Sequence, residues 1–103
     1  MADLDRLLEE LLSGDDDLAE EAALQLALHG EPARQRILPL LRSARADNRW
    51  WAVRSLGAFK DAWDSSPLVD SLEDPAAEVR QCAALVFRNH RSNAALPALI
   101  RSS

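Results

Sequence analysis

A chain of 103 residues and 11.4 kDa, 48% hydrophobic and 28% charged with a net charge of -5, has room for one core but not for separate catalytic and binding domains. Three glycines, five prolines and ordinary apolar content exclude a collagen-like or wholly disordered chain. Aromatic residues make up 5% and tyrosine is absent, so the core falls to Leu, Ala, Val and Ile, while Cys82, the only cysteine, excludes an internal disulfide or a thiolate zinc cluster.

The first residues, Met1-Ala2-Asp3-Leu4-Asp5-Arg6, are acidic and lack the basic and apolar regions of a secretory signal. No apolar run approaches the roughly 20 residues needed to cross a bilayer. With the lone cysteine, this leads to the expectation of a cytoplasmic protein that does not enter membranes. Leu4, Leu7, Leu8 and Leu11 lay one apolar stripe along a first helix that Ser13-Gly14 ends. Asp15-Asp16-Asp17 then supplies an N-cap and an acidic first turn for a second helix carrying Leu18, Ala22, Ala23 and Leu26. The run resembles an acidic metal site only in composition, because it is contiguous and no further spaced ligands follow it. Leu28-His29-Gly30 closes the second helix and Pro32 suits the first turn of a third.

The later helices repeat the earlier ones. A shift of 30 carries Leu7, Leu8 and Leu11 onto Ile37, Leu38 and Leu41; a further 31 reaches Leu68, Val69 and Leu72, and another 31 reaches Leu99, Ile100 and Ser103. The same shifts relate Leu18, Ala22 and Leu26 to Asn48, Ala52 and Leu56, then to Val79, Ala83 and Phe87. A unit of two short amphipathic helices cannot bury its own stripe, so neighbouring units must stack into a solenoid. Ala22-Ala23, Ala52-Val53 and Ala83-Ala84 sit mid-way along each second helix, where short side chains admit the adjacent helix.

The stretch Asp74-Pro75-Ala76-Ala77-Glu78-Val79-Arg80-Gln81-Cys82-Ala83-Ala84-Leu85 resembles the HEAT-like repeat of phycobilisome bilin lyases. That pattern has an Asp in the inter-helix turn, then Val-Arg, then Ala, and a Leu-Gly ending that appears here as Leu56-Gly57. Departures fall mainly in the first unit: Ala19 stands for the Arg, Ser13 and Ser43 for the turn Asp, and Asn48 for the Val. The resemblance implies an all-α, right-handed α-solenoid of antiparallel helix pairs with about three and a half repeats and seven helices. It forms one domain over residues 1–103, divided into repeat 1 (2–30), repeat 2 (31–61), repeat 3 (62–91) and a half repeat or cap (92–103). It also implies a structural ladder of Asp74, Arg49 and Arg80 between successive turns. The last segment reads either as a piece of a longer solenoid, the favoured reading, or as a natural closing helix. Uncovered, its Leu99 and Ile100 would offer an edge for homodimerisation.

Charge is unevenly spread. Residues 1–30 carry nine acidic and one basic side chain, residues 31–60 two and seven, and residues 61–103 six and four. The asymmetry reads either as a partner-facing polarity or, more plainly, as a device that keeps adjacent repeats in order. Arg42, Arg45, Arg49, Trp50, Trp51 and Arg54 crowd the start of the second unit's second helix, and Trp50 and Arg54 share a face at i, i+4. Trp and Arg are enriched at binding hot spots. Trp50, Arg54, Arg45 and Gln81 are therefore the candidate partner-binding residues, with Trp51 and Cys82 assigned to packing and Trp63 to capping the seam beneath a loop. His29 and His90 occupy equivalent helix ends, roughly 20 Å apart at about 10 Å per helix layer, too far to share a metal.

No nucleophile and base pair, phosphate loop or metal-ligand cluster is visible, so no catalytic residue, metal or cofactor is assigned. The leading reading is a non-catalytic protein-interaction scaffold using the second-helix, concave face and binding a protein partner. The alternative, resting on the resemblance alone, is a bilin lyase or chaperone-type subunit or another HEAT-like enzyme component, more remotely a DNA-repair glycosylase. Nucleic acid is disfavoured by a pI near 4.9.

Overall fold

The computed structural model describes the backbone of residues 2–59 and 66–102 and the side chains of residues 4–59 and 66–89. Helix α1 (Ala2–Leu11) buries Leu7 and Leu11 and rests Leu4 and Leu8 against the same core. The chain turns at Gly14, whose φ of 89° suits a residue without Cβ, and enters helix α2 (Asp16–His29). Asp15 caps that helix, its Oδ1 accepting from the backbone N–H groups of Asp17 at 3.0 Å and Leu18 at 3.2 Å. Gly30, at φ 77°, ends α2 and starts helix α3 (Glu31–Ile37).

Beyond α3 the helices are not all α. Pro39 has no N–H to donate back along the α ladder, and the chain tightens into a 3₁₀ segment, Leu38–Arg42. Helix α4 (Ala46–Gly57) follows. In the third unit the described part of the expected first helix is two 3₁₀ stretches, Ser66–Leu68 and Asp70–Glu73, with Pro67 in the first. Helix α5 (Ala77–Ser102) completes the described chain. The expectation of seven helices therefore fails in two places. Among the described residues no full α-helix stands at the start of the third unit, and the backbone expected to form a separate helix within 92–103 continues α5 to Ser102. The physical reason for the second is plain: Arg91 stands where Gly30 breaks the first unit, so no positive-φ residue stops the helix.

No strand occurs among the described residues, and no helix is long and apolar enough to cross a membrane. Each second helix packs on the first-helix segment of its own unit, and α2, α4 and α5 pack side by side in that order. The core runs between these layers through Leu26, Ile37, Val53, Leu68 and Val79, all fully buried. Small residues line the contact between second helices: Ala19, Ala22, Ala23, Ala52 and Ala83 are buried, whereas Ala84 is exposed.

Four expected core positions differ, among them Val69, which is 50% exposed where its counterparts Leu8 and Leu38 rest on the core. Leu18 is 45% exposed while its counterpart Val79 is buried, because Val79 lies on the side of α5 turned to α4 and no unit covers that side of α2 among the described residues. Leu72 is exposed and Ser71 buried beneath Leu68, since a 3₁₀ segment eclipses residues three apart. In α5, Val86 is buried where the repeat register places Phe87, which is half-buried.

Val86 reaches α4 at Gly57. A Cβ added to Gly57 would lie 2.7 Å from Val86 Cγ2 and 2.9 Å from Val86 Cγ1, so α4 and α5 can approach this closely only over a glycine. Val is stiff at χ1 and cannot swing both methyls away. We expect Gly57→Ala to destabilise the fold by about 1–3 kcal/mol in urea unfolding, and Val86→Ala to relieve part of that loss in the double variant. Strictly additive effects of the two substitutions would show that this contact does not set the helix spacing.

Candidate functional site

The second helices are held in register by their preceding turns. In each unit one polar side chain receives the backbone N–H two residues on. Ser13 Oγ accepts from Asp15 at 3.2 Å, Ser43 Oγ from Arg45 at 3.2 Å, and Asp74 Oδ1 from Ala76 at 2.8 Å. Ser43 Oγ also accepts from the side-chain amide of Asn48 at 3.1 Å.

Arg49 joins two of these turns. Its Nη1 donates to the Ser43 carbonyl at 2.8 Å, while Nε and Nη2 fork onto the Asp74 carboxylate at 2.8 and 3.1 Å. Arg80 repeats the first half of this arrangement, its Nη1 donating to the carbonyls of Asp74 at 2.7 Å and Pro75 at 3.3 Å. Arg49, Asp74 and Arg80 are thus brought together, and the first unit, with Ala19 in the equivalent place, has no such fork. Burial by itself would raise the Asp74 pKa. The hydrogen bond from Arg49, the Ala76 N–H and the charges of Arg49 and Arg80 outweigh it and hold the carboxyl below its ordinary 3.8.

The acidic first unit is joined to the basic second by two further ion pairs, Asp5 with Arg36 and Glu20 with Arg54. The charge asymmetry is therefore used, at least in these pairs, to set neighbouring units against one another. Arg54 is accordingly engaged with α2.

With the helices so placed, the N-terminal ends of α2, α4 and α5 border a groove of about 570 Å³. Trp50 and Trp51 line it together with Leu12 and Val79. The two indoles meet edge to face, centroids 4.6 Å apart and planes at 80°. Both are half-buried and both pack on the core, so the expected division into a packing Trp51 and a surface Trp50 is not how the pair is arranged. Arg45 lines the same groove. Trp50 also lines a second hollow of about 570 Å³ between α4 and α5, where it meets Arg54, Gln81 and Cys82. Trp50 is thus the residue shared by Arg45 on one side and by Arg54 and Gln81 on the other. Trp63 and the side chains of His90, Leu99 and Ile100 lie outside the described residues.

The groove's carboxylates lie outside the Trp and Arg cluster expected from the sequence. Asp17, Asp47 and Glu78 line the groove from α2, α4 and α5 in turn, with Asp16 and Glu20 beside the first. The signal was available, because shifts of 30 and 31 carry Asp17 onto Asp47 and Asp47 onto Glu78. The favourable place of Asp17 beside the helix dipole masks its membership of that column.

Cys82 is buried, its Sγ 4.0 Å from the Trp50 carbonyl. Burial pushes the thiol from its ordinary 9.0 up to about 11, with Arg54 opposing and Glu20 assisting that shift. Such a thiol is a packing group, not a nucleophile, at neutral pH.

The family model for HEAT repeats matches residues 4–88 of the chain. None of the curated proteins matches it.

Two measurements test this geometry. Because the folded pKa of Asp74 is depressed, its contribution to stability is fully present above the unfolded value of 3.8 and is lost as pH falls through the lower folded pKa. Asp74→Asn should therefore lower the melting temperature at pH 7, and the gap from the native chain should narrow as pH drops below about 3.8; a gap constant with pH would place the effect elsewhere. Cys82 should alkylate at pH 7 at least about 100-fold more slowly than a thiol of pKa 9.0, the ratio of their thiolate fractions. Modification in the native state as fast as in urea would contradict its burial.

Proposed function

The chain belongs to the HEAT-repeat family, and from that premise we propose that it is a non-catalytic protein-binding scaffold whose partner lies along the second-helix face centred on Trp50. HEAT repeats generally mediate protein–protein interaction. The observation that carries the specific face is the groove of about 570 Å³ bordered by three second helices and lined by the half-buried Trp50 and Trp51. Indole rings offer a large contact area with little side-chain freedom to lose, and they lie where a partner would exclude water from them. Arg45 and Gln81, both exposed, flank Trp50 and supply donors at the rim. Arg54 acts in this reading as a support, since its pairing with Glu20 fixes α2 against α4 beneath the contact surface.

The turn motif behind the likeness to bilin-lyase repeats builds contacts between units. It therefore supports a shared scaffold, not a shared reaction. Successive units in this reading wind with a right hand.

The test places a photo-cross-linking residue at Gln81 or Asp47, and at Gln35 on the first-helix side, in the full chain expressed in its own cells. A discrete protein adduct from Gln81 and Asp47 but not from Gln35 is the expected result. Adducts from Gln35 alone would move the binding face to the other side of the solenoid, and no adduct from any position would remove the scaffold reading.

A further inference from the structure

We infer that the occupant of the groove is an extended, basic segment of a protein partner, with a Lys or Arg at about every third residue. This inference rests on the scaffold reading above and specifies the chemistry of the partner.

The groove combines an aromatic floor with a rim on which carboxylates outnumber the basic side chain of Arg45. Asp17, Asp47 and Glu78 are exposed at its edge, each in the first turn of its helix, and Asp16 adds a further carboxylate. Among the described residues none of these four is paired with a basic side chain, whereas Glu20, deeper in the groove, is matched by Arg54. Among the described residues that line the groove, Arg45 alone is basic. A location in the first helical turn accounts for why a carboxylate is tolerated there, through the helix dipole. It leaves the outward oxygens without a cation, and a neutral or acidic occupant would have to desolvate them with nothing in return. A basic occupant gains those charges and can lay its cationic groups over the Trp50 and Trp51 rings.

The spacing follows from the repeat. One carboxylate comes from each unit at the same register position, and packed helices lie roughly 8–10 Å apart. A polyproline II segment advances about 3.1 Å per residue with three residues per turn, so its residues i and i+3 project from one side about 9.3 Å apart. That period matches the carboxylate row. A β-strand puts i and i+3 on opposite faces, and a helix advances only about 1.5 Å per residue, so neither keeps successive cations on the row as directly.

The experiment titrates purified full-length chain with three synthetic nine-residue peptides, read by tryptophan emission and by calorimetry. One has the pattern (Arg-Pro-Pro)3, the second holds the same residues with the three arginines contiguous, and the third replaces each Arg by Glu. The first should bind, shift the emission of the tryptophans, and bind several-fold more tightly than the second. The third should not bind. Asp47→Lys with Glu78→Lys should weaken binding by about tenfold or more. Glu9→Lys with Glu73→Lys, an equal charge change away from the groove, should weaken it by less than about twofold once salt approaches physiological strength. Equal losses in the two double variants, or equal affinity for the first two peptides, would overturn the inference and reduce it to bulk attraction by an acidic protein. The cross-linking result separates the two levels. An adduct at Gln81 and Asp47 that maps to an acidic or uncharged partner segment would sink this inference while leaving the scaffold, and absence of any adduct would sink the scaffold first.

Discussion

The structure depends on how closely its second helices can approach. A helix pair of this length has an apolar stripe it cannot cover alone, and the cover is supplied by the next pair along. Ala22, Ala23, Ala52 and Ala83 are buried along that line, and at Gly57 even a methyl group would collide with Val86. Ridges enter grooves at short range, so burial per residue is high although few of the side chains involved are large. The proposed binding face is a by-product of the same constraint. Once α2, α4 and α5 lie side by side, their N-terminal ends fall into a row, and whatever the first turns carry is displayed as a line.

Electrostatics act on this frame in two distinct ways. Between the first and second units the pairs of Asp5 with Arg36 and Glu20 with Arg54 join partly exposed side chains, and pairs of that kind each contribute about 0–1 kcal/mol. Between the second and third, Asp74 is 8% exposed and receives the forked guanidinium of Arg49 together with a backbone N–H. Charge-assisted, two-pronged bonds of this geometry fix orientation as well as distance. Arg49 also holds the Ser43 carbonyl, so one side chain sets the start of α4 and its offset from α5 at once.

Much of the architecture could be read from spacing. The leucine stripe of α1, the Asp15 cap and the Gly30 stop each follow a local rule, and each appears in the structure. The repeat register placed most of the core because stacking copies must meet at equivalent positions. The register failed where backbone geometry departs from its copies. Pro39 and Pro67 accompany 3₁₀ geometry in the first-helix segments, which rotates Leu72 outward, and with Arg91 where the first unit has Gly30, α5 meets no stop there. At the site, the Trp and Arg cluster was visible as composition. Which arginine would be spent on a neighbouring unit was not, since Arg54 finds Glu20 across a distance of 34 residues in sequence. The row of Asp17, Asp47 and Glu78 was legible and needed only that polar positions be aligned with the same care as apolar ones.

The missing fork in the first unit makes the two joints of this solenoid unlike. At the joint between the first and second units, Ala19 and Ser43 replace the charged partners, and the remaining ion pairs stand in solvent where dissolved salt shields them. The joint between the second and third units is clamped by a largely buried carboxylate that salt reaches poorly and acid disarms. Dissolved salt therefore weakens the polar contacts of the first joint and acid those of the second, while the buried apolar seam that runs through both is indifferent to either.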